Sequence, residues 1–239
     1  MSHLDQSALD RSAWSSALPY PQNLGAILYD LDGTLANTDP IHFLAWQQCL
    51  RDWDLAIDHS FYQTQISGKL NPDIVAHILP QLDRSAAEAL ADRKEALFRE
   101  LAQGQLTALP GLERLLQWAK SQGLPQALVT NAPPDNVQFL LRVLNLENFF
   151  EPVILAEELP KGKPDPLPYQ IALEKLGLQA TQTIALEDSP SGIRSAVAAG
   201  MPTIGVTSTH GADPLMKLGA ATTLADFTDE NLWQWLAGA

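Results

Sequence analysis

Two aspartates stand directly after an apolar run near the start of the chain, and they are the first residues suited to chemistry. Residues 25–29 (GAILY) are too short for a helix and predict a strand buried on both faces, as in parallel sheets. Asp30 and Asp32 follow two residues apart, so their side chains point to the same side. Gly33 then permits a sharp turn. Taken alone, the pattern is equally typical of two solvated aspartates that open a loop.

Polar side chains also follow the later segments that predict strands. They are Thr130, Asn131, Lys163, Glu187 and Asp188. Because the carboxyl ends of parallel strands lie along one edge of a sheet, we expect these residues to converge with the two aspartates. Four carboxylates repel one another unless a cation lies among them, and a hard, oxygen-binding ion such as Mg²⁺ is the natural one. The sequence therefore predicts a magnesium site at this edge.

An alternation of strands and helices predicts the scaffold that positions these side chains. The predicted strands are residues 25–29, 126–130, 152–156, 183–186 and 203–206. The predicted helices that join them are residues 112–121, 136–144, 166–176 and 190–199. Repeated strand–helix units imply an α/β fold with a doubly wound parallel sheet.

A helical insert is expected to interrupt this alternation after the first strand. Its first helix is predicted to begin at Asp39-Pro40, with Asp39 as the N-cap, and to bury Trp46 and Trp53; two more helices are predicted at 72–79 and 85–103. The predicted domains are a polar N-terminal extension (1–23), a core (24–37 and 109–239) and an α-helical cap (38–108).

The composition excludes several classes of partner. With 28 acidic and 15 basic residues the formal net charge is −13, which argues against nucleic-acid and anionic-membrane partners. An anionic substrate would need a few local cations or a metal. The single Cys49 rules out an internal disulfide framework and suits a reducing compartment. With no apolar run of membrane-spanning length and no leader pattern in the sequence, we expect a cytoplasmic protein.

In order and spacing, four motifs resemble those of the haloacid dehalogenase superfamily. They are D-L-D-G-T-L (30–35), Thr130-Asn131, K-P-D-P (163–166) and Glu187-Asp188-Ser189. The insert after the first motif resembles the helical cap of subfamily I, and the resemblance runs from residue 24 to the C terminus. It is strongest to β-phosphoglucomutases and sugar-phosphate phosphatases. Dehalogenases lack the second aspartate of the first motif, so Asp32 argues against dehalogenation.

The resemblance implies a phosphatase acting on small sugar phosphates, with a β-phosphoglucomutase or a non-catalytic binding protein as alternatives. It makes Asp30 the nucleophile that forms an aspartyl phosphate, and Asp32 the general acid and base. Thr130 and the backbone amides around Leu31 and Asn131 would bind the phosphoryl oxygens.

The remaining implied roles concern charge. Lys163 would neutralise charge in the transition state. Mg²⁺ would be held by Asp30, the Asp32 backbone carbonyl and Asp188, with Glu187 acting through water or as a direct ligand. In the alternative without a chemical role, Asp188 would only favour a helix start and Lys163 would be a solvated loop cation.

Two residues of the insert are candidates for substrate binding. Lys94 lies on the apolar stripe of its predicted helix, and the family cap carries a lysine at the matching place. It either binds substrate, extends past the apolar surface to water, or pairs with a neighbouring Glu. His42 shares a helical face with Trp46 and is either a substrate contact or a packed side chain. The substrate is expected to be a small phosphorylated sugar, and the protein a monomer or weak dimer.

A mutase must also hold a second phosphate. In the β-phosphoglucomutases an arginine three residues past the cap glycine grips it, with a Ser-Lys-Asn run after the second motif. Here Asn71 stands three residues past Gly68, and the corresponding run is Ala132-Pro133-Pro134. The sequence therefore predicts hydrolysis of the phosphoenzyme rather than transfer back to a sugar.

Overall fold

A six-stranded, all-parallel sheet forms the centre of the protein in this computed structural model, which describes Leu18 and residues 24–238. Its strands are β1 (Ala26–Tyr29), β2 (Gln126–Thr130), β3 (Val153–Leu155), β4 (Thr183–Glu187), β5 (Thr203–Val206) and β6 (Thr222–Leu224). They lie in the order β3-β2-β1-β4-β5-β6. The four central strands are buried along their whole length, as expected for a sheet covered on both faces.

The strand order places a switch point between β1 and β4. The chain proceeds from β1 outward through β2 and β3, then returns so that β4 pairs with the free side of β1. Helices that join strands on opposite sides of such a point diverge and leave a crevice beyond the carboxyl ends of the strands. Asp30, which follows β1, therefore lies beside the end of β4, and its amide donates to the carbonyl of Leu186.

The connecting helices agree with the predicted pattern to within two residues at each end. They are α4 (Leu112–Ser121), α5 (Pro134–Val143), α6 (Leu167–Leu176) and α7 (Pro190–Ala198). The start of α5 differs most, because Pro133 is the N-cap and Pro134 the first helical residue, where a missing N–H is harmless. The sequence reasoning missed β6 and the two helices that flank it, α8 (Ala212–Lys217) and α9 (Glu230–Ala237).

The insert between β1 and α4 is helical. It comprises α1 (Asp39–Leu50), a helical segment His59–Phe61 that continues as the π-helix Tyr62–Ile66, α2 (Asn71–Ile78) and α3 (Arg84–Ala102). These helices share a hydrophobic cluster that includes Trp46, while α1 and α3 also contribute Ile41, Ala45, Phe98 and Ala102 to the main cluster that covers the sheet. The predicted α/β fold with an inserted helical cap is confirmed.

Two predictions about the insert are wrong. Trp53 is not in the core, because it lies in a short 3-10 turn after α1, beyond the buried face of that helix, and is 39% exposed. Asp39 is not the N-cap of α1, since the helix begins at Asp39 and Thr38 precedes it as the cap residue. The Thr38 hydroxyl makes no cap hydrogen bond and donates instead to Asp32.

The predicted polar extension, residues 1–23, lies outside the described residues apart from Leu18, which is buried against the core. Within the part of the chain that the structure describes, no helix combines the length and the apolar character that crossing a bilayer requires.

Candidate active site

Lys163 lies at the centre of a buried polar cluster at the carboxyl edge of the sheet. Its ammonium group donates to Asp30 Oδ1 at 2.6 Å, to Glu187 Oε1 at 2.5 Å and to the carbonyl of Val129 at 2.7 Å. These three bonds use all of its hydrogens and reach the ends of β1, β2 and β4. Lys163 is thus not a solvated loop cation, because it ties the three strand ends together.

The acidic residues of the site are gathered as the sequence predicts. Oxygen atoms of Asp30, Glu187 and Asp188 all lie within 4.8 Å of one another, and all three residues are buried. Burial raises the pKa of Asp30 to about 7, with Lys163 opposing the rise and Glu187 adding to it. Burial, together with Asp30 and Glu187, also raises the pKa of Asp188. Three buried carboxyl groups beside one lysine therefore resist full ionisation, and a bound cation would favour their ionised forms.

Tyr169 and Glu187 form the floor of this cluster. The Tyr169 hydroxyl donates to Glu187 Oε1 at 2.6 Å, while Oε2 is buried without a hydrogen-bond partner among the described residues. An unpaired buried carboxylate oxygen is unfavourable in a protein unless a ligand completes it. The all-oxygen donor set and this orphaned atom both fit a hard metal ion.

Two glycines make room for the carboxylates. Gly33 has φ +80°, and a Cβ there would lie 2.0 Å from Asp188 Oδ2. Gly192 lies in the first turn of α7, where a Cβ would meet Glu187 Oε2 at 1.8 Å. The turn after β1 and the start of α7 can therefore close over the acidic cluster only because these residues have no side chain.

The side chain of Asp32 is separate from this acidic cluster and belongs to a second network. Its Oδ1 accepts from the Thr38 hydroxyl at 2.7 Å and lies 3.2 Å from His42 Nε2. On the other side of the ring, His42 Nδ1 lies 2.9 Å from the Lys94 ammonium, which can only donate. This assigns the tautomer: Nδ1 accepts, Nε2 carries the proton and donates it to Asp32. The proton that Asp32 would exchange with a substrate is then left to Oδ2.

His42 and Lys94 of the insert both pack against other side chains and both border the cleft. His42 stacks flat on Phe98, with ring centroids 3.8 Å apart, and still borders the cleft. Lys94 is buried and pairs with the neighbouring Glu95 at 2.8 Å, yet it borders the cleft as well. Packing and pairing therefore do not remove either side chain from the place where a substrate would bind.

Glu95 joins the insert to the core. Asn71 of α2 donates to Glu95 Oε1 and Asn136 of α5 donates to Oε2, each at 2.6 Å. Burial opposes ionisation of Glu95, but Lys94, His42 and Asn71 outweigh it and lower its pKa to about 2. Its ionised carboxylate is thus the acceptor around which two donors from different parts of the protein gather.

The three residues predicted to bind the phosphoryl group differ in what their side chains contact. Thr130 is buried at the end of β2, and its hydroxyl accepts from the amide of Ala132. The Asn131 side chain donates to the carbonyl of Lys163 at 3.1 Å and accepts from its amide at 3.0 Å, and so positions the loop that carries this lysine. Leu31 places its side chain in the hydrophobic core, which leaves only its backbone for a ligand.

A cleft between the sheet edge and the insert joins the two networks. Its empty volume is about 820 Å³, including its open mouth. The predicted site residues that line it are Asp30, Asp32, His42, Lys94, Thr130, Asn131, Lys163 and Asp188. Sequence reasoning missed further polar residues at or below the cleft, namely Thr38, Asp39, Glu95, Asn136, Tyr169 and Thr209. Only Glu95 had a signal, since it adjoins a lysine predicted to be buried.

Comparison with known proteins gives consistent results. The phosphorylated carbohydrates phosphatase of Thermotoga maritima is 28% identical over 202 residues, covering 82% of this chain and 91% of the relative. A phosphoglycolate phosphatase of Rhodospirillum rubrum is 29% identical over 220 residues, covering 88% and 90%. The structure of a CbbY variant from Rhodobacter sphaeroides in complex with xylulose-(1,5)bisphosphate superposes with a TM-score of 0.76 at 26% identity, covering 86% of this chain and 96% of that one.

The family assignment rests on a match that spans both the sheet and the insert. The family profile described as haloacid dehalogenase-like hydrolase matches residues 27–206, from β1 to the end of β5. That range includes the aspartates after β1, Lys163 and the acidic end of β4. The chain therefore belongs to the haloacid dehalogenase-like hydrolase family.

Proposed function

We propose that the protein is a Mg²⁺-dependent phosphatase that hydrolyses phosphate monoesters of small sugars through an aspartyl phosphate on Asp30. The observation that carries the proposal is the position of this carboxylate, bonded to the buried Lys163 and grouped with Glu187 and Asp188 at the base of a cleft. The similarity to a phosphatase of phosphorylated carbohydrates supports the substrate class.

Asp30 and Asp32 divide the chemistry between them. A carboxylate oxygen of Asp30 attacks phosphorus, the P–O bond to the sugar breaks, and the departing alkoxide takes a proton from Asp32 Oδ2. Asp32 then accepts a proton from water as that water attacks the aspartyl phosphate, which releases phosphate and restores Asp30. Thr38 and His42 support this role because they occupy Oδ1 and leave Oδ2 as the exchanging atom.

The attack of a carboxylate on a phosphate brings like charges together. Lys163 offsets part of that repulsion through its bond to Asp30. We assign the metal to Asp30, Asp188 and the backbone carbonyl of Asp32, with Glu187 completing the set, and Mg²⁺ bound there would supply the remaining neutralisation. Thr130 and the backbone amides near Leu31 and Asn131 are assigned to the phosphoryl oxygens.

We further propose that residues 38–108 act as a cap over a core made of 24–37 and 109–239. The hydrophobic cluster that the helices of the insert share supports a unit with packing of its own. Its α3 presents Lys94 and Glu95 to the cleft opposite the sheet edge. These residues, with His42, are therefore assigned to the sugar rather than to the phosphate.

Replacing the nucleophile tests the proposal. We expect Asp30→Asn to remain folded and to release phosphate from sugar phosphates at least ~1000-fold more slowly than wild type, because no neighbour can supply the missing nucleophile. Asp213→Asn, a matched change at an exposed position of α8, serves as the control and should retain full activity. Phosphate release by Asp30→Asn within tenfold of the wild-type rate would overturn the mechanism.

A further inference from the structure

The cleft has two ends, and we call the end at Asp30, where the proposed reaction takes place, the reacting pole. Three successive contacts lead from Asp32 through His42 and Lys94 to Glu95, so that Glu95 is three hydrogen bonds removed from the proposed acid and base. We call the region around it, lined by Trp46, Asn71, Lys94, Glu95, Asn136 and Glu157, the far end of the cleft. A sugar phosphate that reacts at Asp30 would direct its remaining carbons toward this region.

The far end carries an excess of negative charge. Among the described residues that line it, Lys94 is the one cation, and its charge is matched by Glu95 at 2.8 Å. Glu157 adds a second carboxylate at the exposed rim. The other cationic residue of the cleft outside the reacting pole, Lys69, is exposed and donates to two carbonyls of its own segment. Arg99 borders the adjoining groove, where it is bonded to Asn136 and paired with Asp135 at 3.7 Å.

Three hydrogen-bond donors of the far end, on Asn71, Asn136 and Lys94, are directed at Glu95. Asn71 and Asn136 both direct their amide N–H groups at Glu95, each at 2.6 Å. Lys94 uses two of its three hydrogens on His42 and Glu95 and retains one. These donors, which could otherwise bind an anionic ligand, are therefore already bound to the Glu95 carboxylate. Glu95 is only 6% exposed and cannot move away without breaking both amide contacts.

We propose that this far end selects phosphate monoesters whose remote part is an uncharged polyol and rejects those that carry a carboxylate or a second phosphate there. The inference rests on the proposed phosphatase function and specifies its substrate class. Hydroxyl groups can donate to Glu95 and accept from Lys94, whereas a second anion there would meet Glu95 and Glu157, and the lysine of the far end is already paired with Glu95.

A pair of esters with the same carbon count tests the selection. Glucose 6-phosphate and 6-phosphogluconate both carry a phosphate at carbon 6, and they differ at carbon 1, which is a neutral ring carbon in the first and a carboxylate in the second. We expect wild-type kcat/KM for phosphate release to favour glucose 6-phosphate by on the order of 100-fold, and fructose 6-phosphate over fructose 1,6-bisphosphate similarly.

Glu95→Gln should weaken this preference at least ~10-fold, because the substitution removes the charge and frees Lys94 to meet a second anion. Glu88→Gln, on the exposed face of the same helix, is the matched control and should leave the preference unchanged. The ratio of two kcat/KM values from one preparation does not depend on the fraction of folded enzyme, so reduced stability of Glu95→Gln does not blur the result.

Calorimetric titration of both monoesters into Asp30→Asn measures the same preference without turnover. Equal kcat/KM values for the two monoesters, an unchanged preference in Glu95→Gln, or equal binding to Asp30→Asn would each overturn the inference and leave the phosphatase proposal intact. A binding preference for glucose 6-phosphate in an enzyme that releases no phosphate would support the far-end inference and count against the proposed function alone.

Discussion

Removing the charge of Glu95 should destabilise the folded protein measurably, and the size of the effect follows from its surroundings. Glu95 is buried, and burial alone would raise its pKa; Lys94, His42 and Asn71 instead lower the pKa from 4.5 to about 2. A carboxyl with that difference between unfolded and folded states stabilises the folded protein at neutral pH by on the order of 3 kcal/mol. Glu95→Gln keeps the shape of the side chain but removes this contribution and leaves the Lys94 ammonium buried without its partner.

The pH dependence of the effect has a definite sign. Because the folded pKa lies below the unfolded one, the contribution is complete above about pH 4.5 and is lost as the pH falls toward 2. Urea unfolding of wild type and Glu95→Gln should therefore give a difference in the free energy of unfolding of on the order of 3 kcal/mol at pH 7. That difference should shrink by about 1 kcal/mol at about pH 3.5.

Glu88→Gln is the control for this experiment, since Glu88 lies on the same helix with a side chain that is 60% exposed and pairs with Arg84, which is still more exposed. It should unfold at nearly the wild-type urea concentration at both pH values. A Glu95→Gln variant as stable as wild type at pH 7, or a stability difference that stays constant on acidification, would refute the reasoning.

Three further predictions concern the reacting pole and the cap. Gly192→Ala should weaken metal binding at least ~10-fold, because a Cβ there would displace the Glu187 carboxylate; metal affinity measured by titration would show this, and wild-type affinity would contradict it. Lys94→Ala should reduce kcat/KM for sugar phosphates more than for an aryl phosphate, which has little for the cap to contact, and equal losses on both would make the role of Lys94 purely structural. Chelation should abolish phosphate release, Mg²⁺ should restore it and Ca²⁺, with its looser coordination, should inhibit; full activity in excess chelator would refute the metal assignment.

Much of the reacting pole could be predicted from the sequence because its residues follow strand ends. A short apolar run that ends in a polar residue is a local signal, and parallel strands place all such ends on one edge. This is why Asp30, Thr130, Glu187 and Asp188 could be identified and why the structure gathers them at the carboxyl ends of β1, β2 and β4. The strand β6 has only three residues and no comparable run, so the sequence pattern does not reveal it.

Contacts between side chains that are far apart in the sequence could not be predicted from it. Tyr169 meets Glu187 because α6 packs beside the sheet, His42 meets Lys94 because α1 crosses α3, and Asn136 meets Glu95 only where the insert returns to the core. No local pattern encodes such contacts, since each depends on how separate helices pack. Local patterns therefore suffice for the fold class and the acidic cluster, whereas the tautomer of His42 and the charge of the far end depend on packing between elements distant in the chain.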